Sequence, residues 1–147
     1  MRILIVEDNY YMVDLLKNEF DEKEWIYDVA NKVAVAIDLY SKNQYDCFII
    51  DLYVDPIGLT EDEFNHFYPY YGWAWFYNYV IKPNESIASQ LTKKAIIYSK
   101  YANQFKEMGF PGSQDITPID KGEKNSDEKV IKLIEKIEKN KLKKSNL

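Results

Sequence analysis

A single cysteine, Cys47, and a single histidine, His66, are all that the 147 residues offer of the softer metal-binding side chains. That scarcity excludes an intramolecular disulfide framework and a zinc cluster built on thiolates. Cys47 lies inside the apolar run Cys47-Phe48-Ile49-Ile50 and reads as a packing residue, while His66 has no neighbours that would make it a ligand or a relay. Glycine is scarce too, with five in the chain and no two adjacent, so no glycine-rich phosphate loop is present. No apolar stretch reaches the length that crosses a bilayer. The amino terminus shows no charged leader followed by a cleavable apolar segment, so no membrane association is expected and a cytoplasmic protein is. Positive charge is in deficit, with a formal net charge of −5, which argues against nucleic acid as the main partner. The exception is local. Residues 139–147 carry Lys139, Lys141, Lys143 and Lys144 with no acid, and are expected to form a basic tail on a frayed helix end.

What is present is an alternation of apolar runs with amphipathic segments, the pattern of an α/β protein. Residues 1–138 suit one domain with a single core. Arg2 to Val6, Cys47 to Ile50 and Ala95 to Tyr98 are continuous β-rich runs, as buried parallel strands require. Ile26 to Ala30 is a shorter strand, and Asp115 to Asp120 is the weakest, confined by Pro118 to an edge or an end. Between the strands, Met12, Leu15, Leu16 and Phe20 recur at helical spacing behind Asn9, a fitting N-cap. Val33, Ala36, Ile37 and Tyr40 mark a second helix, and Gly109 and Pro111 close one that starts near Tyr101. The final helix has Ser126 as its expected cap and Val130, Leu133, Ile134 and Ile137 on one face. Five strand–helix units with right-handed crossovers follow.

In an open parallel sheet, functional residues collect at the carboxyl ends of the strands. Strand one ends in Glu7 and Asp8, strand three in Asp51, strand four in Ser99 and strand five in Lys121. Three converging carboxylates repel one another unless a hard cation neutralises them, and an oxygen-only ligand set suits Mg²⁺. A metal-bound carboxylate facing a hydroxyl and an ammonium is equipped for phosphoryl transfer.

The segments ILIVEDN, YDCFIIDLYVDP and KAIIYSKY, followed by Lys121 ahead of a helix, resemble the receiver domains of bacterial two-component response regulators. The resemblance implies a flavodoxin-like, doubly wound five-stranded parallel sheet of order 2-1-3-4-5. It also implies that Asp51 accepts a phosphoryl group from a histidine kinase, a phosphotransfer protein or a small phosphodonor. Asp8, Asp51 and the Tyr53 carbonyl would bind Mg²⁺, with Glu7 acting through water; Ser99 would hydrogen-bond the phosphoryl group and Lys121 would pair with it. Any catalysis would then be self-phosphorylation and hydrolysis of the acyl phosphate, and output would pass to a downstream protein by contact. Several positions depart from the family. Gly122 stands where a proline usually follows the lysine, Pro118 where an aromatic residue lies three before it, and Lys100 where a small residue follows the hydroxyl. These departures keep an alternative in play, a pseudo-receiver that binds partners independently of phosphorylation.

One section fits the pattern poorly. An overlong connection, about 57–94, joins strands three and four, and Phe64 to Tyr79 within it is mostly aromatic. It is expected to be an insertion whose surplus rings, Trp75 and Tyr79 among them, face outward as a partner or homodimer surface.

Overall fold

The computed structural model describes residues 1–145; Asn146 and Leu147, the end of the basic segment, lie outside the described residues. Five parallel strands, β1 (Arg2–Val6), β2 (Ile26–Ala30), β3 (Cys47–Ile50), β4 (Ala95–Ser99) and β5 (Pro118–Asp120), form one sheet in the order β2-β1-β3-β4-β5. The three central strands are the three apolar runs. With helices on both faces they present no side to water, so every residue of β3 and β4 is buried. β5 is shorter than its sequence pattern, because Pro118 has no N–H to give and sits at the strand's first position.

Alternation along the strands divides the core into two. Ile3, Ile5, Cys47, Ile49, Ile96 and Tyr98 face α1 (Tyr10–Glu22) and α7 (Ser126–Ser145). Leu4, Val6, Phe48, Ile50 and Ile97 face α2 (Val33–Lys42), the β3–β4 crossover and Phe105 of α6 (Ala102–Met108). Local chemistry sets the helix ends. The Asn9 side chain accepts the Tyr11 N–H at 3.0 Å to start α1, and α6 stops at Gly109, whose φ of +62° is the left-handed cap geometry. Ser126 does not cap α7 in the expected way; its hydroxyl turns to Tyr98 and to the Lys121 carbonyl. α7 runs unbroken across position 138, and within the basic segment Lys141 pairs with Asp46 at 2.9 Å.

The aromatic stretch supplies the crossover that a parallel β3–β4 connection requires. It consists of α3 (Glu61–Phe67), α4 (Tyr71–Phe76), a π-helical turn over Tyr77–Ile81, a 3₁₀ segment over Lys82–Ile87 and α5 (Ala88–Thr92). α3 starts on a capping box, with Thr60 and Glu63 exchanging side-chain and backbone hydrogen bonds. The expected outward display of Trp75 and Tyr79 is not what the fold contains. Trp75 is completely buried, with Phe48 of β3 and Tyr40 of α2 around its ring at centroid distances of 6.2 and 6.3 Å. Tyr79 is half-buried, and its hydroxyl donates to Glu63 Oε1 at 3.0 Å. The reason is topological: this segment covers part of the sheet beside α2, so most of its rings go inward. Trp75 and Tyr79 therefore do not form the expected homodimer surface, while Tyr68 of the same segment stays exposed.

Candidate functional site

The parallel ladder continues one residue past the strands and delivers the site. Val6 pairs with Ile50, and beyond them the Glu7 N–H donates to Ala30 O and the Asp51 N–H to Val6 O, both at 2.9 Å. On the far side the Lys121 N–H donates to Ser99 O at 3.3 Å. Glu7, Asp51 and Lys121 are thus fixed by backbone hydrogen bonds at the carboxyl edge of the sheet before any side chain is considered. Asp8 follows Glu7 into the loop and is exposed.

Oxygens of Glu7, Asp8 and Asp51 all lie within 4.8 Å of one another. The Lys121 ammonium bonds Glu7 Oε2 and lies 3.1 Å from Asp51 Oδ2, with all three side chains at or below a tenth exposed. Electrostatics record the crowding. Burial, then the Asp51 charge, push the Glu7 carboxyl up to about 7, and the same two causes raise Asp8. Burial works against the Lys121 charge, but Asp51 and Glu7 outweigh it and hold the ammonium above its usual range. One ammonium therefore balances a cluster that carries up to three negative charges. The donor set, three carboxylates with a single opposing cation, fits a hard divalent ion such as Mg²⁺.

Of the residues expected from the sequence, Glu7, Asp8, Asp51 and Lys121 are brought together. Ser99 ends β4, completely buried, and its Oγ accepts the Tyr101 N–H at 3.3 Å. Tyr53 lies two residues beyond Asp51, where its partly exposed ring stacks on that of Tyr101 at a centroid distance of 3.8 Å. His66, at the end of α3, is exposed beside Phe67 and takes no part in the cluster.

Three features escaped the sequence. The Tyr53–Tyr101 stack joins two rings that each stand two residues past a strand-end site residue, a symmetry that could have been noticed. Tyr98 lies beside the lysine: its hydroxyl pairs with Ser126 Oγ at 2.8 Å, and its ring is 5.7 Å from Lys121 Nζ. Gly72 lets α4 rest on the site from the other face. A Cβ there would stand 1.9 Å from the Asp51 carbonyl oxygen, and the Gly72 N–H donates to Leu52 O at 3.0 Å.

A doubly wound five-stranded sheet of this order, with its acids and lysine at the carboxyl edge, defines a flavodoxin-like domain. No protein-family model matches the chain, and no curated protein matches its sequence. Solved structures do. A Francisella response-regulator receiver domain superposes with a TM-score of 0.60 at 19% identity, covering 95% of this chain and 98% of its own. The non-phosphorylated HemR receiver domain from Leptospira biflexa gives 0.56 at 20% identity, with 92% of each chain covered. The Thermotoga maritima response regulator TrrA, in complex with Mg²⁺-BeF, gives 0.53 at 23% identity and covers 90% of this chain and 97% of its own. The chain has the receiver-domain fold of response regulators.

Proposed function

We propose that this domain accepts a phosphoryl group on Asp51 with Mg²⁺ held by Asp8 and Asp51, and by Glu7 through water. The observation that carries the reading is the meeting of three carboxylates with the buried Lys121 ammonium at the carboxyl edge of the sheet. An Asp51 carboxylate oxygen attacks the phosphorus of a phosphohistidine on a histidine kinase or phosphotransfer protein, or of a small phosphodonor. From phosphohistidine the P–N bond breaks and its electron pair leaves with the imidazole nitrogen, which takes up a proton; from an acyl phosphate the P–O bond breaks and the pair leaves on the carboxylate. Mg²⁺ at the three carboxylates, with the Tyr53 carbonyl as a further ligand, would supply positive charge opposite the transferred oxygens. Lys121, already 3.1 Å from Asp51 Oδ2, pairs with a phosphoryl oxygen, and the Ser99 hydroxyl, at the end of the next strand, donates to another. The domain acts in the cytoplasm and passes its state to a downstream protein by contact.

The alternative, a pseudo-receiver that binds partners whatever the state of Asp51, draws on Pro118 in β5, where the family's aromatic residue would lie. Incubation with Mg²⁺ and a small phosphodonor, read by intact mass, separates the two readings. The expected result is one acid-labile phosphoryl group, absent in Asp51→Asn. Absence of labelling in the wild-type chain supports the pseudo-receiver, and labelling that survives Asp51→Asn removes Asp51 from the role.

A further inference from the structure

The charge distribution changes sign at the opposite end of the sheet. The turn from α5 into β4 carries Lys93 and Lys94, and the last turns of α7 carry Lys141, Lys143 and Lys144. Together with Asp46 and Ile137 these lysines line a recess of about 520 Å³. Asp46 is the one acid in the lining, and its charge is already engaged: one oxygen pairs with Lys141 at 2.9 Å and the other accepts the Arg2 N–H at 2.8 Å. Lys93, Lys94, Lys143 and Lys144 make no ion pair among the described residues. In a chain of net charge −5 this leaves a concentrated positive rim around a partly apolar recess.

We infer that this recess docks an acidic, amphipathic peptide segment of a partner protein, with its carboxylates on the lysine rim and an apolar side chain against Ile137. The lining chooses between polyanions. A nucleic acid carries its charge as an unbroken run of phosphates that extends past the recess into the net negative charge of the domain, whereas a short acidic segment can end its charge within the lysine rim. An amphipathic acidic segment satisfies both parts of the surface. Lysine suits carboxylates that arrive in no fixed orientation, since its ammonium is a compact charge on a flexible stem and asks for no planar, bidentate partner. Asp46 precedes β3 and Asp51 follows it, so a segment docked here leaves the acidic pocket open. The inference therefore does not rest on phosphorylation of Asp51.

The test is fluorescence anisotropy of the whole chain with three labelled probes: a short peptide of Glu-Glu-Leu repeats, the same peptide with serine for leucine, and a single-stranded oligonucleotide of matched charge. The leucine peptide is expected to bind best, and raising salt from about 50 to about 300 mM should weaken it several-fold. Lys93→Glu with Lys143→Glu should weaken it about tenfold or more. Both positions are exposed, so the melting temperature of the double variant should match wild type. Three results overturn the inference: no binding of the leucine peptide, equal or tighter binding of the serine peptide or the oligonucleotide, or undiminished binding by the folded double variant. Asp51 labelling by a phosphodonor, run on the same double variant, is expected to be unchanged, which keeps a failure here distinct from a failure at the acidic pocket.

Discussion

Replacing Gly72 with alanine adds one methyl group to a helix, and in an open helix the change would help by up to about 1 kcal/mol. Here it should do the reverse. The added carbon would stand 1.9 Å from the Asp51 carbonyl oxygen and 2.9 Å from Ile50 Cγ2, so α4 and β3 must separate by about 1.5 Å to restore ordinary contact. Neither can yield alone. Asp51 is held by its N–H on Val6 O, and α4 is held by the Gly72 N–H on Leu52 O. The helix also carries Trp73, Trp75 and Phe76, all completely buried, and even a gap of about 0.5–1 Å forfeits a quarter to a half of each dispersion contact across it. Overpacking of this kind costs about 1–3 kcal/mol, and the loosened aromatic contacts add to it, giving about 2–4 kcal/mol net of helix propensity. For a domain of this size the melting temperature should fall by roughly 5–15 °C. Urea titration followed by near-ultraviolet circular dichroism, with calorimetry alongside, measures both quantities. A midpoint unchanged or raised would refute the seating of α4 on the Asp51 carbonyl.

Trp75→Ala should cost about 3–5 kcal/mol, as buried aromatic truncations do, whereas Tyr79→Phe, which loses one hydrogen bond to Glu63, should cost about 1 kcal/mol. Equal small losses in urea titrations would return the aromatic segment to the surface. Lys121→Ala leaves Glu7 and Asp51 facing one another, and at about pH 8 the metal-free variant should lose about 3–5 kcal/mol, partly recovered on adding millimolar Mg²⁺. Failure of Mg²⁺ to raise the variant's melting temperature would count against the cluster as a cation site. The Glu7 carboxyl is pushed up to about 7, above its ordinary value, so without metal its contribution to stability is full below the unfolded-state pKa and is lost as pH rises through about 7. Mg²⁺ needs the ionised form, so its affinity should increase from about pH 6 to about pH 8, as read by titration calorimetry. A flat profile would show that Glu7 does not contribute.

The parts of the fold that could be read in advance are those where one residue pattern has one physical use. Ile3–Val6, Cys47–Ile50 and Ala95–Tyr98 carry no charged residue and read as continuous β-rich runs, which only strands covered on both faces tolerate. The crossover was opaque for the opposite reason. Its helix changes from α to π to 3₁₀ and breaks at Asn84, with φ −123° and ψ 45°, so the buried face rotates and no single stripe recurs. Aromatic residues at nearly every position then hide which rings face inward. The expectation of surplus rings at the surface left out the sheet face that Trp73, Trp75 and Phe76 cover together with α2.

At the site, Glu7, Asp8, Asp51 and Lys121 were legible because each is the first or second residue past a strand, and register alone brings such residues together. What holds them was not legible, and it bears on how the departures from the family pattern are to be understood. Gly122 follows the lysine without the rigidity of a proline, yet the bend is made: the Gly122 N–H donates to Asp120 Oδ1 at 2.7 Å, and the Glu123 N–H to Asp120 O at 3.1 Å. The Lys121 carbonyl accepts from Ser126 Oγ at 3.3 Å, and that hydroxyl is paired in turn with the Tyr98 hydroxyl. Pro118 leaves β5 without an aromatic residue, while β4 contributes Tyr98, whose buried ring lies against the lysine from the α7 side. The lysine is therefore held by a turn and a hydroxyl pair that no single position reveals. A missing proline removes a constraint only where nothing else in the fold supplies it, and at the bend after Lys121 it is supplied by Asp120 and by Ser126, itself paired with Tyr98.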